Sequence, residues 1–526
     1  MKHLYAFAFF LATGGAIAQD PAIAWQKTIG GSQADVLTSF EPTPDGGYIL
    51  AGYTASDASG EKTENSNGAL DIWLVKVDDT GNIQWQNTIG GSGDDFVNVV
   101  KPTSDGGYIV LAGSDSNISG DKTENSRGGL DFWILKLDAS GNIVWQKTYG
   151  GSNPDFDTYG QQTADGGYLV AGYSDSGATG DKTEASNGQR DFWILKLDTT
   201  GNITWQNAIG GSLIDRVQAA AQTADSGYLI AGFSSSPLSG DKTEANYGGT
   251  DYWVVKLDAT GSIVWQNTIG GNASDALRDM ILTADGGYLI GGYSLSGISG
   301  EKTENSNGDY DYWLVKLNAA GTIQWQNTIG GSGTDYLRDI KQLADNSYVV
   351  AGYSNSNASG DKTEASNGGY DFWLVRIDAG GNVTSQNSIG GDADESGPYI
   401  LPLPGGDFMM ACASASGISD DKTETTRGLE DYWLFRTSGA ILSMPANRLT
   451  DIRLFPNPMK TDFTISLDRP YDNIQLKVTN LSGQIIHRAR YEGMSELTVA
   501  LTAPSGIYMI SVDADGGSAH FKLVKE

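Results

Sequence analysis

Histidine and cysteine are scarce in this chain of 526 residues. The three histidines are His3, His487 and His520, and the single cysteine is Cys412, so the long repeated middle of the chain contains no histidine. This excludes Ser-His-Asp and Cys-His catalysis there, together with most zinc sites. One thiol forms no internal disulfide, and its place in the apolar run FMMACA predicts a buried side chain rather than a nucleophile.

Positive charge and long apolar runs are also in short supply. The chain has 34 Lys and Arg against 64 Asp and Glu, a net charge of −30, which argues against binding to nucleic acid or to anionic membranes. The one long apolar run lies in MKHLYAFAFFLATGGAIAQD. Its basic start and the small residues around Ala18 predict a secretory signal peptide over residues 1–18, and no membrane span is predicted after it.

Glycine, by contrast, is abundant, and it marks a 60-residue unit that recurs from Trp25 to about Arg436 without an insertion. Each unit has four β-branched and aromatic runs bounded by Asp-Gly turns, a pattern typical of antiparallel strands joined by hairpins. We name these strands a, b, c and d. The loop between strands b and c contains Asp-Lys-Thr-Glu or a close variant in all seven units.

The order of the strands indicates how the repeat ends. The tryptophan of strand d first occurs at Trp25, before any strand a, whereas the last strand c, at Trp433, has no such partner after it. An open solenoid does not require this offset, whereas a closed ring does, because the N-terminal strand supplies the missing outer strand of the last unit. The sequence therefore predicts an all-β fold: a seven-bladed β-propeller over residues 19–437, closed by an N-terminal outer strand at residues 23–30.

Two resemblances support the propeller. The segment KLDATGSIVW, residues 256–265, resembles the repeat of quinoprotein-type propellers, and the whole unit resembles the delta-60-type propeller repeats of secreted bacterial proteins. The resemblance implies the fold and not quinone chemistry, because the paired cysteines of the quinoprotein dehydrogenases are missing. No cofactor follows from it.

After Ser438 the period stops. Residues 438–450 are predicted to be a linker, and residues 451–526 a small immunoglobulin-like β-sandwich. This tail resembles the type A C-terminal sorting domain of the type IX secretion system of Bacteroidetes, which implies Sec export, the type IX machinery as a partner, and then release or attachment at the cell surface. The alternative is an ordinary immunoglobulin-like module. The residues of the sorting motifs are Phe455, Pro456, Asn457, Pro458, Gly483, Gly506, Tyr508, Lys522 and Lys525.

In an up-and-down blade the b–c and d–a loops share one face, and the long b–c loops make that face the predicted place for a site. An acid begins every strand a there. Two interpretations stay open: a cation site, with calcium as the candidate, or carboxylates that accept backbone N–H bonds in the preceding Gly-Gly-Ser turn. The seven acids are Asp35, Asp95, Asp155, Asp215, Asp275, Asp335 and Glu395.

The Asp-Lys-Thr-Glu loop also has two interpretations. A calcium loop needs oxygen ligands at fixed offsets, but Ala55, Pro237 and Leu295 occupy such positions, and every copy contains a lysine. The sequence favours a latch, in which Glu64 or Lys62 and their equivalents tie the loop to the blade.

The units differ most along strand a, beside the predicted channel. There Arg278, Asp279, Arg338 and Asp339 stand in neighbouring blades, where they are expected to form either a polar binding cluster or an ion-paired plug. In the loops the variable tyrosines are interpreted as stacking on sugar rings or as packing the loop. These tyrosines are Tyr247, Tyr310 and Tyr370.

Three functions are compatible with this pattern. The favoured one is a non-enzymatic, secreted or surface-held binding protein, such as an adhesin, a glycan binder or a scaffold. The second is a glycoside hydrolase, for which Asp279 and Asp339 are the candidate pair of catalytic carboxylates. The third is a structural component of an extracellular matrix.

Overall fold

The computed structural model describes residues 22–438, 453–480, 485–514 and 517–525. The predicted signal peptide, and the predicted linker apart from Ser438, lie outside these residues. The chain divides into two compact units, one within Gln19–Leu442 and one that contains Ser443–Glu526.

The first unit consists of seven four-stranded antiparallel sheets, which we number as blades 1 to 7. The a strands are Asp35–Pro42, Asp95–Pro102, Asp155–Gln162, Asp215–Gln222, Asp275–Leu282, Asp335–Gln342 and Glu395–Pro402. The b strands are Tyr48–Thr54, Tyr108–Ser114, Tyr168–Ser174, Tyr228–Ser234, Tyr288–Ser294, Tyr348–Ser354 and Phe408–Ser414. The c strands are Asp71–Val77, Asp131–Leu137, Asp191–Leu197, Asp251–Leu257, Asp311–Leu317, Asp371–Ile377 and Asp431–Ser438. The d strands are Ile83–Ile89, Ile143–Tyr149, Ile203–Ile209, Ile263–Ile269, Ile323–Ile329, Val383–Ile389 and, for blade 7, Ala22–Ile29.

The a strands form the inner wall of a closed ring. Each contacts the a strand of the next blade, and the a strand of blade 7 contacts that of blade 1. The outer strand of blade 7 is Ala22–Ile29, which pairs antiparallel with Asp431–Ser438. The predicted propeller fold and its closure by an N-terminal outer strand are therefore confirmed.

The blades pack against each other through aromatic side chains of the c strands. The seven c-strand tryptophans are fully buried, and each of five stacks on a Phe or Tyr of the preceding blade. The Trp73 and Tyr432 rings lie 5.1 Å apart and join blade 7 to blade 1. Such pairs contribute about 1 kcal/mol each beyond the area they bury.

The glutamine after each d-strand tryptophan holds the long b–c loop of its blade. In blade 3, Gln206 Oε1 accepts hydrogen bonds from the buried Trp193 Nε1 (3.0 Å) and from Thr183 N (3.2 Å). Its Nε2 donates to Asp181 O (2.8 Å). One side chain thus satisfies a core indole and two backbone groups of the loop.

The same network closes the ring. Gln26 Oε1 accepts from Trp433 Nε1 (3.0 Å) and Thr423 N (2.9 Å), and its Nε2 donates to Asp421 O (3.0 Å). In addition, Thr28 N donates to Glu424 Oε2 (2.7 Å). The start of the propeller therefore binds its end through the contacts that every blade makes internally.

The charged residues of the loop also form specific contacts with their own blade. In blade 2, Lys122 is buried over the Trp133 ring, 5.3 Å from its centroid, and donates to Thr148 Oγ1 (2.9 Å). Glu124 Oε2 accepts from Thr148 N on the outer strand (2.8 Å). These bonds confirm the latch interpretation of the loop.

The acid of the loop acts between blades. Asp121 N donates to Gly90 O (2.9 Å) in the d–a loop of the blade before it, and Asp121 Oδ2 accepts from Gly90 N (3.2 Å). At the junction of blades 7 and 1, Arg427 Nε pairs with Glu61 Oε2 at 2.6 Å. The repeated b–c loop with its Asp-Lys-Thr-Glu motif is therefore a connector within and between blades.

The second unit is a β-sandwich. Its strands are Arg453–Phe455, Asp462–Tyr471, Ile474–Asn480, Ile485–Tyr491, Met494–Ala500, Gly506–Ala514 and Gly517–Lys525. The first, second and fifth form one antiparallel sheet and the other four form another. Both sheets contribute to one core, with Phe463 and Val499 from the first and Leu476 and Val512 from the second.

Removing the closing strand should open the propeller. We expect a chain without residues 1–29 to lose on the order of 5 kcal/mol of its free energy of unfolding, since several backbone hydrogen bonds at about 1 kcal/mol each are lost. Urea unfolding followed by tryptophan fluorescence reports on this unit alone, because all 13 tryptophans lie in it.

A synthetic peptide of residues 19–30 should restore most of that stability. The matched control is the same peptide with Gln26→Leu, which keeps the strand but leaves Trp433 Nε1 and the loop unpaired. Equal rescue by both peptides would contradict the role given to Gln26.

Candidate functional site

The inner strands enclose a cavity of about 210 Å³ at the centre of the ring. A β-bulge in strand a, between Leu277 and Asp279 in blade 5 and at the equivalent place in the other blades, lets consecutive residues line it. Arg278, Asp279, Arg338 and Asp339 all do so, together with Glu41, Lys101, Tyr159, Gln218, Lys341 and Tyr399. The structure thus brings the four predicted residues into one cavity.

The two aspartates connect neighbouring blades. Asp279 Oδ2 accepts from Ile340 N (2.8 Å) in blade 6, and Asp339 Oδ2 accepts from Ile400 N (2.8 Å) in blade 7. Burial and the neighbouring Asp339 raise the pKa of Asp279. Because Asp279 Oδ1 accepts from Met280 N (2.8 Å) and Asp339 Oδ1 binds Lys341, all four carboxylate oxygens are engaged.

The arginines and lysines of the cavity differ in their partners. Lys341 pairs with Asp339, and Lys101 pairs with Glu41. Arg278 donates to Tyr293 OH (2.6 Å) and Gln218 Oε1 (3.2 Å), and Arg338 donates to Tyr399 OH (2.8 Å). Among the residues that the structure describes, neither arginine forms an ion pair, and the ion pairs of the cavity are made by its two lysines instead.

Tyr310 and Tyr370 belong to a cluster of five half-buried tyrosines in blades 5 and 6. The other three are Tyr293, Tyr336 and Tyr353. Tyr336 lies at its centre, with ring centroids 4.6 Å from Tyr293, 5.6 Å from Tyr310, 5.2 Å from Tyr353 and 6.1 Å from Tyr370. We call these five residues the tyrosine cluster. It lies at the long-loop end of strand a, and Arg278 connects it to the cavity through Tyr293.

Tyr247 lies elsewhere. Its hydroxyl donates to Glu301 Oε1 (3.0 Å), and its ring covers Gly300 in the loop of the next blade. This is the position at which Asn67 contacts Asp121 and Arg127 contacts Asp181. Tyr247 therefore packs a junction between blades and is not part of the tyrosine cluster.

Sequence reasoning missed Tyr293, Tyr336, Tyr353 and Arg216. A usable signal was present, because strands a and b pair in a fixed register that sets Tyr336 opposite Tyr353. Arg216 occupies the position of Tyr336 in blade 4 and lies over the Tyr173 ring at 5.2 Å. Its Nε is buried without a hydrogen-bond partner in the described part of the chain.

The acids that begin the a strands are buried and held within their own blades. Asp95 Oδ2 accepts from Gly91 N (2.6 Å) and from Ser116 Oγ (3.0 Å), and the other blades repeat most of this arrangement. Nowhere in the described ranges do three or more His, Cys, Asp or Glu residues come together as a metal site. The geometry favours the hydrogen-bonding interpretation of this ring over the calcium one.

A second buried acid lies next to each of these at the blade junction. It is the first residue of strand c, and its Oδ1 has no hydrogen-bond partner among the described atoms. Burial, and to a lesser extent the adjacent acid of the next strand a, raise the pKa to about 7 for Asp131, Asp191, Asp311 and Asp371. A glycine covers each of these acids, and a side chain at that position would collide with the carboxylate. At Gly330, for example, an added Cβ would collide with Asp311.

The predicted inert thiol is consistent with the structure. Cys412 is fully buried on the b strand of blade 7, and burial raises the pKa of its thiol.

In the second unit, Asn457 and Lys525 of the sorting motifs lie where the first motif meets the last strand. Val524 N donates to Asn457 Oδ1 (2.9 Å), Met459 N donates to Val524 O (2.8 Å), and Lys525 Nζ binds Lys460 O. The segment from Phe455 to Pro458 is thus docked on the last strand. Tyr508 OH donates to Pro504 O (2.7 Å). Gly483 lies outside the described residues, as does the side chain of Lys522.

Residues 453–526 match the family described as "Secretion system C-terminal sorting domain". The predicted type IX sorting tail is therefore confirmed, and the chain is one that is exported and then secreted or attached at the cell surface. None of the described residues forms a helix long and apolar enough to cross a membrane.

Other similarities are distant. The regulatory protein FlaEY of Caulobacter vibrioides is 22% identical over an alignment of 494 positions, which covers 87% of this chain and 50% of that protein. A protein of unknown function from Dyadobacter fermentans has a TM-score of 0.39 at 11% identity and covers 79% of this chain and 98% of its own. The Neurospora crassa Pan2 WD40 domain also has a TM-score of 0.39 at 11% identity, with 80% and 98% covered. These scores are too low to support any statement about this chain.

The buried c-strand acids predict that the propeller is more stable in mild acid. A carboxyl whose pKa is raised on folding stabilises the folded state below its unfolded pKa, and this stability is lost as the pH rises through about 7. We expect Asp311→Asn to reduce the fall in the free energy of unfolding between pH 5.5 and 8 by roughly 1–2 kcal/mol.

Asp258→Asn is the control, because hydrogen bonds from Thr260 and Ser262 lower the pKa of this exposed turn residue and keep it charged throughout the window. Measurements stop at pH 8, since burial lowers the pKa of lysines such as Lys302 to about 8. Identical pH profiles for Asp311→Asn and the unchanged chain would contradict the prediction.

The connecting role of Asp279 gives a third prediction. Asp279→Asn keeps an acceptor for Ile340 N but leaves Met280 N without one, so it should lower the free energy of unfolding by only about 1 kcal/mol. Asp279→Leu has a similar size but leaves the Met280 and Ile340 N–H groups unpaired, and should cost roughly 2–4 kcal/mol. Urea unfolding compares the two variants. Equal losses of unfolding free energy would contradict the role of Asp279 in connecting neighbouring blades.

Proposed function

We propose that this exported propeller is a non-enzymatic binding protein whose ligand, a glycan, lies on the tyrosine cluster at the long-loop mouth of the channel. The observation that carries the proposal is the concentration of aromatic surface in two of seven otherwise repetitive blades. The equivalents of Tyr336 are Val36, Phe96, Phe156, Arg216, Ala276 and Ser396.

The chemistry of the cluster suits sugars. A tyrosine offers an apolar ring face and a hydroxyl, which match the C–H face and the hydroxyl rim of a pyranose. The five rings are half-buried, so their positions are fixed by packing while part of each surface stays accessible. Loops on a rigid scaffold are a common place for such sites.

The hydrolase alternative receives less support. A retaining or inverting glycosidase needs one carboxyl free to protonate the leaving group and a second free to attack or to activate water. Asp279 and Asp339 have every oxygen occupied by a backbone N–H or by Lys341. The third function, a matrix component, is not favoured by any specific contact.

The test uses the chain without residues 1–18 and a panel of soluble and insoluble polysaccharides, with bound protein and released reducing ends measured in each tube. We expect binding without release. Tyr336→Ala and Tyr370→Ala should each weaken binding at least tenfold, because the loss of one aromatic contact worth about 1.4 kcal/mol has that effect.

Tyr247→Ala is the matched control, since Tyr247 is an exposed tyrosine of the same face outside the cluster. Equal losses at Tyr247 and Tyr336 would contradict the proposed location. Released sugar that disappears in Asp339→Asn would make the protein a hydrolase instead.

A further inference from the structure

The charge of the channel is opposite in character to that of the chain. The chain carries a net charge of −30. The charged residues that line the cavity nevertheless include one more basic than acidic group, with Lys101, Arg278, Arg338 and Lys341 against Glu41, Asp279 and Asp339. An acidic protein that concentrates basic groups at its centre has the arrangement expected of a site for an anion.

The ion pairs show which basic groups are available. The two lysines are neutralised by Glu41 and Asp339. Within the described part of the chain the arginines are held by neutral acceptors only: Arg278 by Tyr293 and Gln218, and Arg338 by Tyr399. A partly buried guanidinium without a counter-ion gains from a carboxylate or a sulfate, to which it donates in a planar fork.

The arginines lie close enough to act together. Both line the same cavity from adjacent blades, at the same position of strand a, and the charges of both lower the pKa of Tyr353 against the raising effect of burial. Both also lower the pKa of Tyr159 against the raising effect of burial. Tyr353 is at the same time a member of the tyrosine cluster, with its ring 5.2 Å from that of Tyr336.

The arginines also lie below the cluster along the channel. Strand a of blade 6 runs from Asp335, next to the d–a loop, to Gln342, next to the short a–b turn. Arg338 therefore follows Tyr336 one step further into the channel, and Lys341 with its partner Asp339 lies beyond it. A ligand on the tyrosines reaches the unpaired arginines before the ion-paired layer.

From these contacts we infer that the ligand is an acidic glycan, one that carries carboxylate or sulfate groups. An anionic group enters the channel between Arg278 and Arg338, while the sugar rings lie on the tyrosine cluster. This inference rests on the proposed function and adds the chemical class of the ligand.

The test compares pairs of related polymers of which one member is charged, using the chain without residues 1–18. Polygalacturonate is paired with its methyl ester to test carboxylate, and carrageenan is paired with agarose to test sulfate. We expect at least tenfold tighter binding to the charged member of one pair. Preference within the first pair assigns the ligand as a uronate, and preference within the second assigns it as a sulfated sugar.

Variants locate the charge recognition. Arg338→Gln and Arg278→Gln should each remove most of the preference, and Arg338→Lys should keep part of it, because a charge without the planar fork remains. Arg190→Gln is the control, since Arg190 lies on the same face but is already paired with Asp175 at 2.8 Å. Its preference should equal that of the unchanged chain.

The outcomes separate the inference from the proposed function. Binding to agarose or the methyl ester that depends on Tyr336, with no preference for the charged polymers, would overturn the inference and leave the proposed function standing. A preference that survives Arg278→Gln and Arg338→Gln would also overturn it. No binding to any polysaccharide would overturn both.

Discussion

The hydrogen bond between a c-strand indole and an outer-strand glutamine is the contact on which most of this structure depends. It is buried, it recurs in every blade, and the same glutamine fixes the long loop beside it, as Gln206 does for Thr183 and Asp181. The loop in turn carries the acid that contacts the preceding blade and the lysine that packs on the tryptophan. Because Gln26 makes these contacts for blade 7, the force that orders one blade also closes the ring.

That arrangement stabilises the fold at an electrostatic cost. Each blade buries a lysine of the b–c loop and the acid that begins strand a. A second acid, at the start of strand c, is buried at the junction between blades. Taking such groups out of water is expensive unless they are paired and hydrogen-bonded. The raised pKa of acids such as Asp131 lowers this cost, because a carboxyl that is protonated near neutral pH carries no charge into the interior. A glycine also covers each c-strand acid, where a side chain would collide with the carboxylate.

The sequence was sufficient to predict the propeller and its closure, because a 60-residue period and an unpaired outer strand at Trp25 leave few architectures. The sorting tail followed from its motifs. The channel site was predicted only in part, since spacing placed Arg278 and Arg338 on inner strands but said nothing of their partners. Whether an arginine meets an aspartate or a tyrosine depends on the bulge in strand a and on contacts between blades, which no local pattern records.

Tyr247 and Tyr310 illustrate the same limit. Both are variable tyrosines in the second half of a b–c loop, and residue type alone does not distinguish them. Tyr247 occupies the position that contacts the next blade's acidic residue, whereas Tyr310 directly precedes Asp311, the buried start of strand c, and faces Tyr293. A repeat protein acquires a binding site by changing residues that its architecture does not use. Position within the repeat, rather than residue type, therefore separates the tyrosine that packs a junction between blades from those of the tyrosine cluster.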